Sequence, residues 1–344
     1  MASAFISGVA GETLSPAEAA FFRSAAPAGL ILFARNCTSH EQIRRLVADV
    51  REAVGGGDEF LVLIDQEGGR VQRLRPPLGR ALPAAQAYAD LYADDPAVAR
   101  DAAFLAARLL ADDLKALGIN TDCAPVLDVP IPGAHDVIGD RAYGREPGQV
   151  AALARAVAEG FMAGGVLPVI KHIPGHGRAL QDSHHTLPVV TEPHAVLSAT
   201  DFAPFKALAD MPAAMTAHVV FTAIDEAQPA STSRRVTREV IRGEIGFDGL
   251  LMSDDLSMKA LSGTFAERAR GVLAAGSDLA LHCNGVMAEM EEVAGAVPSL
   301  SGESLRRFRA ALAVLGRSEP YDSVKAETQL ALALGTGRRH AESV

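Results

Sequence analysis

Short apolar, β-branched runs alternate with longer stretches of helical period along most of this 344-residue chain. Eight runs read as strands: "AFISGV" (4–9), "GLILFA" (29–34), "FLVLID" (60–65), "INTDCAPV" (119–126), "LPVIKH" (167–172), "AAMTAHVV" (213–220), "GLLMSD" (249–254) and "SDLALHC" (277–283). Amphipathic stretches lie between them, such as "SHEQIRRLVADVREAV", "DPAVARDAAFLAARLLADDLKAL", "PGQVAALARAVAEGFMAGG" and "TFAERARGVLAAG". Gly118, Gly164 and Gly276 stand where such helices should stop before the next strand. Nearly continuous apolar strands are buried on both faces, which implies a parallel sheet covered by helices. Eight βα units predict a closed (β/α)8 barrel of the TIM type in an α/β chain. A doubly wound open sheet is the competing architecture. It lacks support from any G-x-G-x-x-G turn after the first strand or any phosphate-binding G-x-x-x-x-G-K-[ST] loop.

No Pro- or Gly-rich linker divides the chain, so the expected organisation is one domain. Residues 1–300 make the catalytic barrel, and 301–344 add one or two outer helices and a flexible tail, "GTGRRHAESV". Hydrophobic residues at 49 % suffice for a large core. Lys+Arg 32 against Asp+Glu 42 leaves a net charge of -10, which disfavours nucleic acid and anionic membranes because both select basic patches. The absence of Trp, with 5 % aromatics, also disfavours base stacking. No window approaches a membrane span, and the N-terminus shows no secretory pattern. Three cysteines without C-x-x-C spacing fit a reducing compartment, so a cytoplasmic protein is expected. The oligomeric state stays open, a monomer included.

In a barrel of this kind chemistry sits at the C-terminal strand ends. The third strand ends in "DQEGGRVQR", with Asp65, Glu67, Arg70 and Arg73; the fourth is followed by Asp128 and by Arg141 in "GDRAYG". The fifth ends in Lys171 and His172, the sixth offers His218, and the seventh ends in Asp254 and Asp255. Buried strands that all finish in charge at one end are hard to explain by packing. Singly, Glu67 and Arg70 could pair with each other across their turn or meet a ligand, and His218 reads better as a hydrogen-bonded core residue. By the two-residue period one of Asp254 and Asp255 faces the mouth and the other a structural partner; the period does not say which.

"VIKHIPGHGRALQDSHHTLP" (169–188) crowds four of the ten histidines around Asp182. Pro174 and Gly175 break any helix that would set His172 and His176 on one face as metal ligands. A zinc site would need His172, His176, His184 or His185 and Asp254 to converge from loops; a metal-dependent barrel hydrolase is the alternative reading. From His172 to Pro193 no periodicity appears, and loops of that length are functional or disordered. Asp182 lies two residues before His184, close enough to orient the imidazole for acid and base work, and a moving loop would let one group serve two steps.

"DQEGGRVQR", "KHIPGHG", "DSH" and "SDDLSM", in this order and each at a strand end, resemble the signature of the family 3 glycoside hydrolases, in particular the single-domain bacterial β-N-acetylglucosaminidases of peptidoglycan recycling. The resemblance covers about residues 3–295. It implies retaining removal of terminal β-linked N-acetylglucosamine from muropeptides, with Asp254 as nucleophile and His184 with Asp182 as acid/base dyad in place of the usual second carboxylic acid. It also implies Asp65, Arg73, Arg141, Lys171 and His172 as sugar contacts, and neither metal nor cofactor. His176 and Gly177 would shape the loop, and His185 receives no role. Ile173 stands where the family motif usually has Phe, and "GDRAYG" is a looser match. A sugar-binding barrel without turnover and a phosphorolytic variant are lesser alternatives.

Overall fold

The computed structural model describes residues 2–57 and 59–335. Eight parallel strands close a barrel: β1 Ser3–Ser7, β2 Pro27–Leu32, β3 Leu61–Ile64, β4 Thr121–Asp122, β5 Leu167–Ile173, β6 Ala213–Thr216, β7 Leu250–Asp255 and β8 Leu279–His282. Each strand pairs with its neighbours in sequence, and β1 closes on β8 with Ile6 opposite Leu281. The helices are α1 Pro16–Ala25, α2 His40–Ala53, α3 Ala85–Asp94, α4 Pro96–Lys115, α5 Pro147–Ala163, α6 His194–Ala199, α7 Ala203–Ala207, α8 Phe265–Ala275, α9 Met287–Ala294, α10 Gly302–Leu312 and α11 Ser323–Ala333. A π-helix, Val236–Glu244, links β6 to β7. No helix among the described residues is long and apolar enough to cross a membrane.

The two-residue strand period divides the core in two. Ile6, Leu61, Leu63, Val169 and Met252 fill the barrel, whereas Phe5, Val62, Ile64, Ile170 and Leu251 face the helical shell. Phe308 and Ala311 of α10 pack into the inner cluster, so this helix closes the end opposite the C-terminal strand ends. α11 lies against α4. The tail expected from 335 onward falls, beyond Gly335, outside the described residues.

All eight expected strands are present, with shifted ends. The run 119–126 narrows to Thr121–Asp122, because Pro125 has no N–H to continue a ladder. Carbonyls still tie it down, as Val169 N–H donates to Ala124 O and Lys171 N–H to Pro125 O. Gly276 is the left-handed stop of α8, φ 115°, as its position suggests. After α5 the expected Gly164 stays in the right-handed region, φ -84°, and the left-handed residue is Gly165, φ 73°. At Gly177 a Cβ would stand 2.1 Å from Val129 O, so only glycine lets the loop after β5 lie against the loop after β4.

Candidate active site

The loops following β3, β4, β5 and β7 surround a mouth of about 440 Å³, a usual size for a small-ligand pocket. Its lining includes Asp65, Arg73, Arg141, Lys171, His172, Asp182, His184 and Asp254, all eight of the residues expected from sequence.

Its floor is a buried charge lattice. Lys171 Nζ lies 3.0 Å from Asp65 Oδ1 and 2.6 Å from Glu67 Oε1. Arg73 Nη2 meets Asp65 Oδ2 at 2.9 Å, and Arg141 grips Glu67 through Nε and Nη2, both at 2.8 Å. Burial alone would raise both carboxyls. The cations outweigh it, holding Asp65 well below the usual carboxylate range and Glu67 at about 2. Burial disfavours the ammonium of Lys171, yet Asp65 and Glu67 push its pKa above that of a free lysine. Lys171 donates a hydrogen bond to Asp65 Oδ1 and forms an ion pair with Glu67.

Asp254 and Asp255, at the tip of β7, have different work. Asp255 Oδ1 accepts Ser257 N–H at 3.0 Å and Cys283 N–H at 3.2 Å, and its other oxygen accepts the Ser257 hydroxyl. It fixes the strand end. Asp254 Oδ1 accepts Asp255 N–H at 2.8 Å, leaving Oδ2 facing the mouth. Burial works against the carboxylate form, but His172, His218 and that backbone N–H keep Asp254 below its ordinary range, hence charged at neutral pH. His218 is fully buried, with Nδ1 2.7 Å from Ser231 Oγ and Nε2 3.1 Å from Asp255 O, and burial lowers its pKa. It is a core histidine, as its sequence context suggested.

Next to Asp254, His172 Nδ1 sits 2.6 Å from Asp128 Oδ2. Asp128 is buried and held below the ordinary carboxylate range: burial would raise it, and His172 with His176 more than offsets that. Because a carboxylate only accepts, Nδ1 carries the proton and Nε2 is left toward the mouth. The same carboxylate accepts His176 N–H at 2.6 Å.

Across the mouth the loop after β5 is exposed. His184, with 60 % of its side chain accessible, donates Nδ1–H to Asp182 Oδ1 at 2.7 Å and its backbone N–H to the same oxygen at 2.9 Å. Burial opposes the Asp182 carboxylate, but those two bonds, with the neighbouring His184 and His185, keep it below its ordinary range. Nε2 of His184 has no hydrogen-bond partner among the described residues. Among the described residues no three His, Cys, Asp or Glu side chains form a metal-holding group.

Residues 13–314 match the model of the glycosyl hydrolase family 3 N terminal domain. The chain belongs to glycosyl hydrolase family 3. A β-hexosaminidase of Bordetella avium is 40 % identical over 280 residues, covering 80 % of this chain and 79 % of its own. NagZ of Neisseria gonorrhoeae, solved with N-trifluoroacetyl-D-glucosamine, superposes with a TM-score of 0.86 at 33 % identity, covering 97 % of this chain and 98 % of its own. A family 3 β-N-acetylglucosaminidase from Paenibacillus sp. FPU-7 aligns at a TM-score of 0.83 and 31 % identity; 96 % of this chain spans 66 % of that longer one. This family 3 protein is therefore a glycoside hydrolase of the β-hexosaminidase branch, acting on carbohydrate.

One of the two readings left open for Glu67 and Arg70 falls away in this family 3 site. Glu67 and Arg70 do not pair: Arg70 Nε turns outward to Asp140 at 2.7 Å, while Glu67 turns inward to Lys171 and Arg141. Residues 66–72 form a small antiparallel hairpin, with Glu67 on its first arm and Arg70 in the turn between the arms. Arg141 borders the mouth, but its fork is committed to Glu67. His185 remains at the surface, 4.0 Å from Asp182. The links from Asp128 to His172 and from His176 to Ser183 were not foreseen; loop residues without a period carry no sequence signal for such pairs.

Proposed function

We propose that the chain is a retaining exo-β-N-acetylglucosaminidase that removes terminal N-acetylglucosamine from muropeptides, including those ending in 1,6-anhydro-N-acetylmuramic acid, during peptidoglycan recycling. The observation that carries this reading is the pairing, in one pocket, of an ionised Asp254 with a free oxygen and an Asp-braced His184 with a free Nε2. The lattice of Asp65, Lys171 and Arg73 binds the sugar hydroxyls, with His172 Nε2 beside them. The gonococcal neighbour was solved with an N-acylglucosamine, which supports a 2-acylamino sugar as ligand.

Asp254 attacks the anomeric carbon as His184 gives its Nε2 proton to the departing oxygen. The product of that step is a glycosyl ester on Asp254. His184, now neutral, takes a proton from water, which cleaves the ester and returns both groups to their starting state. A histidine suits the second role because its neutral form places no extra negative charge near Asp254 and the ester.

Hydrolysis of anhydro-muropeptides, followed by mass analysis of the sugar released and proton NMR of its first-formed anomer, tests this function. Free N-acetylglucosamine appearing first as the β-anomer is expected. An α-anomer appearing first would exclude the two-step route, and release of a different sugar would exclude the substrate.

A further inference from the structure

His176 belongs to a sequence motif at the site, yet it supplies no group to the reaction above. It is buried, burial holds its ring pKa at about 4, and its Nδ1 has no hydrogen-bond partner among the described residues. Its Nε2 lies 3.1 Å from the hydroxyl of Ser183, which sits between Asp182 and His184. Ser183 is 2 % exposed, while Leu180, Gln181, His184, His185 and Thr186 around it are exposed. Its carbonyl accepts Ala260 N–H at 3.3 Å, from the loop that follows Asp254. Thus a single inward side chain ties the exposed loop down, and the residue that holds it is itself fixed by its backbone N–H on Asp128.

We propose that His176 and Ser183 form a latch that keeps the acid/base loop in register over the mouth, with Asp128 as its fixed end. The inference rests on His184 being the acid/base group. Both border the mouth but act as positioning residues, through Asp182 and His184. Asp128 joins the two halves of the site, since it orients the His172 ring with one oxygen and anchors His176 with the other. Releasing Ser183 leaves the sugar-binding lattice untouched but frees Asp182 and His184 to wander, so the loss should fall on proton transfer and not on sugar binding.

The test compares kcat/KM of the full chain on two substrates. One is a 2,4-dinitrophenyl N-acetyl-β-glucosaminide, whose leaving group needs no proton. The other is a disaccharide with N-acetylglucosamine β-linked to a sugar hydroxyl, which needs one. Ser183→Ala should lower the disaccharide rate relative to the dinitrophenyl rate by about fivefold to tenfold, the scale of one lost neutral hydrogen bond. His176→Leu should do the same. His176→Gln, which keeps a side-chain N–H for Ser183, should restore the ratio to within about twofold, the lower end of that scale. Equal loss on both substrates in Ser183→Ala and His176→Leu, or no loss, would overturn the latch, provided His184→Ala shows the selective loss. If His184→Ala shows no selectivity, the acid/base assignment is what fails.

Discussion

The barrel floor and the loop after β5 solve opposite problems in one pocket. On the floor, Lys171 is 2 % exposed and every charge meets an opposite charge within 3.0 Å, with Asp65 and Lys171 fixed at the ends of barrel strands. On the loop, His184 is 60 % exposed and has one carboxylate for company. Rigid, dry charges suit recognition of a fixed sugar, since they are oriented before it arrives. An exposed imidazole suits a group that must lose and regain a proton in successive steps. In the proposed mechanism, what binds is buried and what exchanges protons is wet.

The largest expected effect comes from Asp254. Asp254→Ala should lower turnover of an aryl N-acetyl-β-glucosaminide by more than about 10⁴-fold, beyond the range that proton transfer supplies, because the covalent route disappears. Steady-state rates measure this; parent activity in the variant would remove Asp254 from the mechanism. His184→Ala should cost about 10²–10⁴-fold on substrates with poor leaving groups and leave the thermal midpoint nearly unchanged, since an exposed side chain carries little of the fold.

Lys171→Met sharpens the contrast from the other side. It leaves Asp65 and Glu67 as buried carboxylates with one cationic partner each, so unfolding by urea should show a loss of about 3–5 kcal/mol, together with weakened sugar binding. If Lys171→Met proves no less stable than the parent, the lattice is not under electrostatic control.

A further effect depends on pH. Asp122 is buried, with Oδ1 accepting Gln66 N–H at 3.0 Å and Oδ2 unpartnered, and burial pushes its pKa up to about 8. Between the unfolded value near 3.9 and about 8, the folded chain keeps a proton that the unfolded chain has released. Asp122 therefore lowers stability progressively as pH rises through that window, with no further change above it. Asp122→Asn does not titrate. Its margin of stability over the parent should widen from pH 4 to pH 8 in thermal melts, and a margin independent of pH would contradict the neutral form.

Legibility in the sequence follows the same division. Eight strands were readable because burial on both faces leaves unbroken apolar runs, and the floor residues were readable because charge at the end of such a run has no packing reason to be there. Pro125 shows the limit at strand ends: it terminates β4 without disturbing the run's hydrophobic pattern. Glu67 shows the limit in turns, where proximity in sequence suggested Arg70 and the hairpin delivered Arg141 from 74 residues away. The two-residue period left Asp254 and Asp255 undecided and the motif resemblance pointed to Asp254; in space Ser257 and Cys283 occupy Asp255, although both aspartates border the mouth. In the loop after β5, Asp182 and His184 were readable by spacing, but nothing distinguishes buried Ser183 from its exposed neighbours along the chain.

The claim that the sugar passes onto Asp254 has a direct physical readout. The protein is incubated with a 5-fluoro N-acetylglucosaminyl fluoride, which forms the glycosyl ester faster than water cleaves it, then digested and weighed by mass spectrometry. One fluorinated N-acetylhexosaminyl unit should appear on the peptide containing Asp254, and turnover of ordinary substrate should stop as it forms. Turnover halted with the label on another residue, or substrate consumed with no covalent adduct at any time, would contradict the assignment.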